Sequence, residues 1–453
     1  MINQIDENVN TQNEFSNAIK QLKIGGLLRK SNITKNCGIP AFEVFQFLLL
    51  LVFQGKNLFR FLNSKRKDQA VSKNTYYRFL NDTSYNWKKF LLLLSAKVIS
   101  VFEHLTRPER VKVFVLDDSV IKRNCSKNVE LLARVYDHVE QQYQRGFAML
   151  TLGWTDGYSF IPLAFNMLSS AKKNNRYQEM SDDIDHRTNG YKFRKESMLS
   201  KPAAAVEMIK SALNMGILAD YILMDSWFTN EPMLQSLLDL GLDTIGMVKQ
   251  LKQTYLYNGK FYTLNRLKKF VKFNNGVSNI FGSLHVKTKN GITVKIVFVR
   301  NRNKKSDCLY ILSTDNSLSD SEIVRIYGNR WSIECFFKAC KSFLKLGSEF
   351  QSRNYSAIVS HTTIVFVRYI LLEWIRRNRN DRRSYGELFF MFCDDIQDID
   401  LTNALQSLMA LFESVIKTFS EKITDAIKSQ VSNWIASQPA FIRALFGNLN
   451  WES

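Results

Sequence analysis

The spacing of apolar residues along the chain changes character twice. Residues 1 to 108 carry apolar runs at helical spacing with little β-branched alternation, which predicts a helical stretch. Inside it, SKNTYYRFLND (72–82) follows the basic NSKRKD (63–68). Ser72 or Asn74 is placed to cap a short helix with Lys73, Tyr76, Tyr77 and Arg78 near its start. A groove-reading helix and a surface helix of a bundle fit this segment equally. From residue 111 the pattern becomes strand-like. VKVFVL (111–116) is a β-branched run ending in Asp117-Asp118-Ser119. RGFAMLTLGW (145–154) and FIPLAFNML (160–168) predict a hairpin turning at Asp156-Gly157. The charged segment 169–197 reads as a long surface loop. KPAAAVEMIKSALNMG (201–216) predicts a helix ending at Gly. YILM (221–224) is a short buried strand that again ends in an acid, Asp225. A helix over 231–240 and a strand over 243–249 follow.

Residues 251 to 313 are rich in Tyr, Phe, Val, Thr and Asn-Gly turns and predict several antiparallel strands. The segment 319–346 then returns to helical periodicity, with Ser319 or Ser321 as cap. The rest reads as helical to the end, with a stripe through Leu408, Phe412, Val415 and Phe419. The expected organisation is an α/β core interrupted by an insert. It comprises a helical head (1–108), a first core segment (109–250), a β-rich insertion (251–318), a second core segment (319–375) and a helical tail (376–453).

Charge narrows the partners. With 62 Lys+Arg against 42 Asp+Glu, the 453-residue chain carries +20. A polyanionic partner follows, either nucleic acid or an anionic membrane. The apolar run 41–53 is shorter than the roughly 20 residues that span a bilayer. The longer run 356–375 is interrupted by His361, Arg368 and Glu373 and predicts a buried helix. The first residues are polar and acidic, unlike a signal peptide. The expectation is a cytoplasmic protein without a membrane partner. The six cysteines form no CxxC pair and lie away from histidines at zinc-site spacing, as scattered reduced thiols would.

The stretch YGNRWSIECFFKACK (327–341) carries the chemistry. At about 100° per residue, Tyr327, Arg330, Glu334, Lys338 and Lys341 line one edge of a helix whose neighbouring face is apolar. Charged rows of this kind are common on solvated helices, and each i,i+4 pair contributes only about 0.2–0.5 kcal/mol. Two further acids change the weighting. Asp117 or Asp118, and Asp225, each follow a short apolar strand, where carboxylates of neighbouring strands converge at one rim of a sheet. Three carboxylates around one point suit hard divalent cations such as Mg²⁺ or Mn²⁺. Two such ions serve phosphoryl transfer. Arg330 would fork onto a phosphate, Lys338 and Lys341 would act as point charges, and Tyr327 would donate a hydrogen bond.

Tyr327-x2-Arg330-x3-Glu334-x6-Lys341 resembles the Tyr-Arg-Glu-Lys signature of DDE transposases of the insertion-sequence-4 family. LDDSVIKR and LMDSWF resemble that family's first and second Asp motifs, and the resemblance extends over residues 70 to 375. It implies an RNase H-like mixed-sheet core with an antiparallel β insertion and a catalytic, metal-binding triad of Asp117, Asp225 and Glu334. The acid-x-Ser pattern favours Asp117, and strand alternation leaves Asp118 as the alternative. Tyr327, Arg330 and Lys341 would bind DNA phosphates by the family pattern. Lys338 joins them from the helical wheel alone. The implied activity is Mg²⁺-dependent cleavage at terminal inverted repeats followed by strand transfer into target DNA, with Mn²⁺ able to substitute. The implied partner is double-stranded DNA, bound by a homodimer or higher oligomer in a bacterial, nucleoid-associated setting. The head would recognise element ends and the tail would make protein contacts. Two alternatives are a metal-dependent nuclease without strand transfer and a non-catalytic DNA-binding relative.

Overall fold

The computed structural model describes residues 14–64, 67, 70–250, 253–271, 279–301, 308–349, 352–394 and 421–437. The helical head contains α1 (Glu14–Gln21), α2 (Ile24–Lys30), α3 (Ala41–Leu50), α4 (Leu58–Leu62), α5 (Lys73–Asn81) and α6 (Trp87–Leu105). Polar side-chain caps start two of these. Asn57 accepts a hydrogen bond from the Arg60 N–H and Asn86 from the Lys89 N–H, which satisfies donors that the first helical turn leaves open. Ser72 is the N-cap of α5, yet its hydroxyl meets Thr75 Oγ1 rather than a backbone N–H. Tyr76 of that helix is buried and stacks on Phe47, so it is a core residue of the head and is removed from the groove-reading set.

The sheet begins with β1 (Val113–Lys122), β2 (Ala133–Asp137), β3 (Gln142–Thr155) and β4 (Phe160–Leu168). After α7 (Asn189–Ser197) and α8 (Lys201–Asn214) come β5 (Tyr221–Met224), α9 (Glu231–Leu238) and β6 (Asp243–Val248). Strand β1 is antiparallel to β3 and parallel to β5, β3 is antiparallel to β4, and β5 is parallel to β6. That mixed order, with helices on both sides, is an RNase H-like core. The expected hairpin is β3–β4, turning at Asp156-Gly157, where Gly157 takes a positive φ of 79°. Two expectations need correction. Strand β1 does not stop before the acids but runs on through them to Lys122, because β3 continues to pair with it as far as Gly146. The segment 169–197 is not loop throughout. It ends in α7, whose fully buried Arg194 is held by Glu130 at 2.5 Å.

The insertion holds β7 (Thr254–Tyr257), β8 (Lys260–Thr263), α10 (Leu264–Leu267), β9 (Ile280–Lys287), β10 (Thr293–Arg300) and β11 (Cys308–Ser313). Strand β11 pairs antiparallel with β6, so the insertion lengthens the core sheet instead of standing apart from it. The path across the sheet is β2-β3-β1-β5-β6-β11-β10-β9-β7-β8, with β4 beside β3. The inserted strands have their own apolar cluster, centred on Tyr255, Val294, Ile296, Phe298 and Tyr310.

The chain then forms α11 (Asp320–Gly328), α12 (Trp331–Ser342) and α13 (Tyr355–Asn378), and a later helix α14 (Glu421–Ser437). Ser319 and Glu322 close a reciprocal capping box on α11. The single helix expected over 319–346 is thus two, broken at Asn329-Arg330. The predicted tail stripe through Leu408, Phe412, Val415 and Phe419 lies outside the described residues.

Helix α13 has the length and hydropathy of a membrane span, but Tyr355–Ile375 are all buried within the protein. As the sequence suggests, its charged residues are internal. Arg368 donates to Glu349 at 2.6 Å and to the carbonyls of Leu48 and Leu49 at the end of α3, and so ties the head to the segment after α12. Removing one partner of a buried pair strands the other charge, at a cost of about 3–5 kcal/mol. Arg368→Met is therefore expected to lower unfolding stability by about that amount, read from urea denaturation. A loss below about 1 kcal/mol would disprove the clasp.

Candidate active site

Parallel pairing brings the first two acids together. Leu116 of β1 is in register with Met224 of β5, so the next residues along the two strands are Asp117 and Asp225. Asp225 starts a tight turn. Its Oδ1 accepts from the N–H groups of Trp227 (2.9 Å) and Phe228 (3.3 Å), and its carbonyl accepts from Thr229 Oγ1 at 2.7 Å. Gly246, opposite Met224 on β6, is required there, because a methyl group at that position would overlap the Thr229 side chain.

The third acid arrives on α12. Ile333, Phe336, Phe337 and Cys340 are buried, and Phe336 packs on Phe160, Phe366 and Tyr369, which fixes the rotation of the helix. Glu334 then sits at the edge of the buried face. Arg330, at the break between α11 and α12, lies between two acids. Its Nη1 donates to Asp117 Oδ2 at 3.0 Å and its Nη2 donates to Glu334 Oε1. Tyr327, on the last turn of α11, lies beside it, with the guanidinium 6.0 Å from the ring centroid. The Tyr327 hydroxyl is buried and has no hydrogen-bond partner among the described residues.

The structure thus gathers Asp117, Asp225, Tyr327, Arg330 and Glu334. Lys341 reaches the same strand further along, donating to Ser119 Oγ at 2.6 Å. Lys338 is exposed on α12 and has no part in this cluster. Asp118 points the other way, as alternation requires, and pairs with Lys201 of α8 at 3.0 Å. Thr229, Gly246 and Lys201 are contributors that periodicity did not single out. A Gly within an apolar strand was the one available signal, since it marks close approach of another group.

Among the described residues no three acidic, histidine or cysteine side chains are close enough together to hold a metal ion. The donor chemistry nevertheless fits a divalent cation. All three groups are carboxylates, and a cationic guanidinium bridges two of them. Electrostatics at Asp117 point the same way. Burial, with a contribution from nearby Asp225 and Asp118, pushes its carboxyl up to about 7, against the opposing pull of Arg330 and the Asp118 N–H. Burial likewise pushes the Tyr327 hydroxyl up to about 12.

A carboxyl raised from 3.8 to about 7 holds its proton more tightly when folded than when unfolded. Its contribution to stability is therefore lost as pH rises between those values. Without divalent metal, Asp117→Asn is expected to raise the melting temperature relative to wild type above pH 7, with the gap closing towards pH 4. Thermal melts in chelator across that range test this, and a gap independent of pH would refute it.

Comparison with known proteins gives two family matches. Residues 48–258 match the model described as DDE superfamily endonuclease, and residues 201–371 match the transposase DDE domain. Asp117 lies in the first match, Glu334 in the second, and Asp225 in both. No curated protein matches. Among solved structures, the Drosophila P element transposase strand transfer complex is similar at a TM-score of 0.23 and 11% identity, covering 82% of this chain and 88% of that one. A likeness this slight carries no weight beside the family matches. Those matches overlap at the second acid, run together from residue 48 to 371, and support a DDE transposase.

Proposed function

We propose that the chain is a transposase of the insertion-sequence-4 type, which binds the inverted repeats at its element's ends, cuts there and joins the freed end to target DNA. The observation that carries this reading is the bridging of Asp117 and Glu334 by Arg330, beside an Asp225 brought alongside by strand register. A purely structural ion pair would not need a third acid beside it.

In this reading Asp117, Asp225 and Glu334 hold divalent metal, Mg²⁺ with Mn²⁺ as substitute. Such ions, when bound, would activate the attacking oxygen and stabilise the leaving one. The chain's own groups position the DNA. Arg330 exchanges its carboxylate partners for the phosphate next to the cut, and its planar fork suits two phosphate oxygens. The unpartnered Tyr327 hydroxyl is placed to donate to the same phosphate. Lys341 adds a point charge one alternation step along β1 from Asp117. Lys338, exposed on α12, would meet the backbone further from the reacting atoms. The helical head would recognise the element's ends, and a homodimer or higher oligomer would pair them.

Two experiments test the reading. Purified protein is incubated with the DNA flanking its own gene in Mg²⁺ or Mn²⁺, and nicks and joined products are mapped at nucleotide resolution. Cuts at an inverted-repeat boundary are expected from wild type and none from Asp225→Ala or Glu334→Gln. Cleavage retained in either variant would overturn the site, and cutting without joining would identify a nuclease. In single-turnover cleavage, Arg330→Ala is expected to slow the reaction about 10²–10³-fold, the usual effect of losing one donor to a developing charge. A change below about threefold would remove Arg330 from the phosphate clamp.

A further inference from the structure

Beyond the acids, β2 and β3 continue as a two-stranded hairpin whose outer face has an unusual composition. The register sets Arg134 directly opposite Arg145, and Tyr136 directly opposite Tyr143. Alternate residues Ala133, Val135 and Asp137 are buried, while Arg134, Tyr136 and Tyr143 are exposed and Arg145 is half-buried. Val139, at the hairpin tip, is 91% exposed.

Like charges placed directly across a strand pair destabilise it. Here no carboxylate offsets the two arginines, since neither is paired with one among the described residues. The acids at the tip are already engaged: Lys122 pairs with both Asp137 and Glu140. Each arginine instead lies over a ring. The Arg134 guanidinium is 3.9 Å from the Tyr143 ring centroid, and that of Arg145 is 4.7 Å from Tyr177. A guanidinium stacked by its face keeps its in-plane N–H donors for an anion. Beside them Tyr136 makes edge contacts with Tyr143 (5.2 Å) and His138 (5.0 Å). Such a face matches a nucleic-acid strand in charge and in stacking surface.

Its placement relates it to the active site. By the two-residue alternation, Asp117, Ser119 and Ile121 share one face of β1, paired with Thr151, Met149 and Phe147 of β3. The same face of β3 continues to Arg145 and Tyr143. Lys341, bonded to Ser119, stands between. Arg145 is six positions from Thr151, so the arginine pair lies about 20 Å along the strands from Asp117. At about 3.4 Å per nucleotide, that is roughly six nucleotides of DNA.

We propose that the outer face of the β2–β3 hairpin, Arg134, Arg145, Tyr136 and Tyr143, grips the DNA backbone roughly six nucleotides from the cut. The proposal rests on the reading of the chain as a DNA-cutting enzyme. The probe is a fluorescein-labelled duplex taken from the DNA flanking the protein's own gene, in Ca²⁺, with binding followed by anisotropy across a salt series. Each neutralised phosphate contributes about 0.9 to the slope of log affinity on log salt. Arg134→Ala/Arg145→Ala is therefore expected to weaken binding and reduce that slope by about two. Arg134→Lys/Arg145→Lys should restore the slope, which separates lost charge from a damaged fold. Tyr136→Ala/Tyr143→Ala should weaken binding with the slope unchanged. Hydroxyl-radical footprinting should lose protection near the sixth nucleotide in the arginine variant alone.

An unchanged slope and footprint in the arginine double variant, with wild type binding normally, would overturn the hairpin contact and leave the proposed function standing. Failure of wild type to bind the duplex would overturn both. Sedimentation showing that the variants lose self-association while binding DNA as wild type does would make the hairpin a contact between copies of this chain and overturn the proposal.

Discussion

Two carboxylates held side by side on neighbouring parallel strands repel each other, and much of the architecture around the site serves to hold them there. Asp117 on β1 and Asp225, just past the end of β5, follow residues paired in register, with β3 and its neighbours on one side and six further strands on the other. Their placement is set by backbone hydrogen bonding, not by attraction between the side chains. Burial pushes the Asp117 carboxyl up, and the neighbouring Asp225 adds a smaller push in the same direction. Arg330 relieves part of it by bonding Asp117 and Glu334 together.

That arrangement needs rigid support. The Asp225 turn is closed by its own side chain and by Thr229, and Gly246 leaves the space in which Thr229 sits. The Glu334 helix is fixed in rotation by the aromatic cluster around Phe336. Behind it α13 is buried along most of its length, and its internal arginine binds the end of α3. The head, the core sheet and the helix of the third acid therefore share one packing core, which fixes the head relative to the acids.

The inserted strands are part of the same logic. They extend the sheet from β6 through β11 and carry a separate apolar cluster. The chain between the second and third acids thus adds surface without loosening the strands that position Asp225. At the opposite end of the path, β2 and the start of β3 extend beyond β1 as a hairpin rich in arginine and tyrosine. Core strands keep the acids close, and the projecting strands are free to carry other surface chemistry.

Much of this was legible in the sequence because period and turn chemistry are local. The helical head, the Asp156-Gly157 hairpin, the strand before Asp225, the Ser319 cap and the buried character of α13 all follow from side chains within a few residues of one another. The spacing Tyr327-x2-Arg330-x3-Glu334-x6-Lys341 was equally readable, as was the convergence of two acids with a third. Other features depended on pairing between distant segments, which no local pattern encodes. Strand β1 runs through its acids because β3 continues beside it. Alternation puts Asp117 and Asp118 on opposite faces, but only the packing decides that Arg330 meets Asp117 and Lys201 of α8 meets Asp118. The helix of the signature breaks at Asn329-Arg330, and Arg330 bonds an acid 213 positions away. The tertiary structure alone decided that Arg134 faces Arg145 and Tyr136 faces Tyr143, because register between strands fixes which side chains share a face.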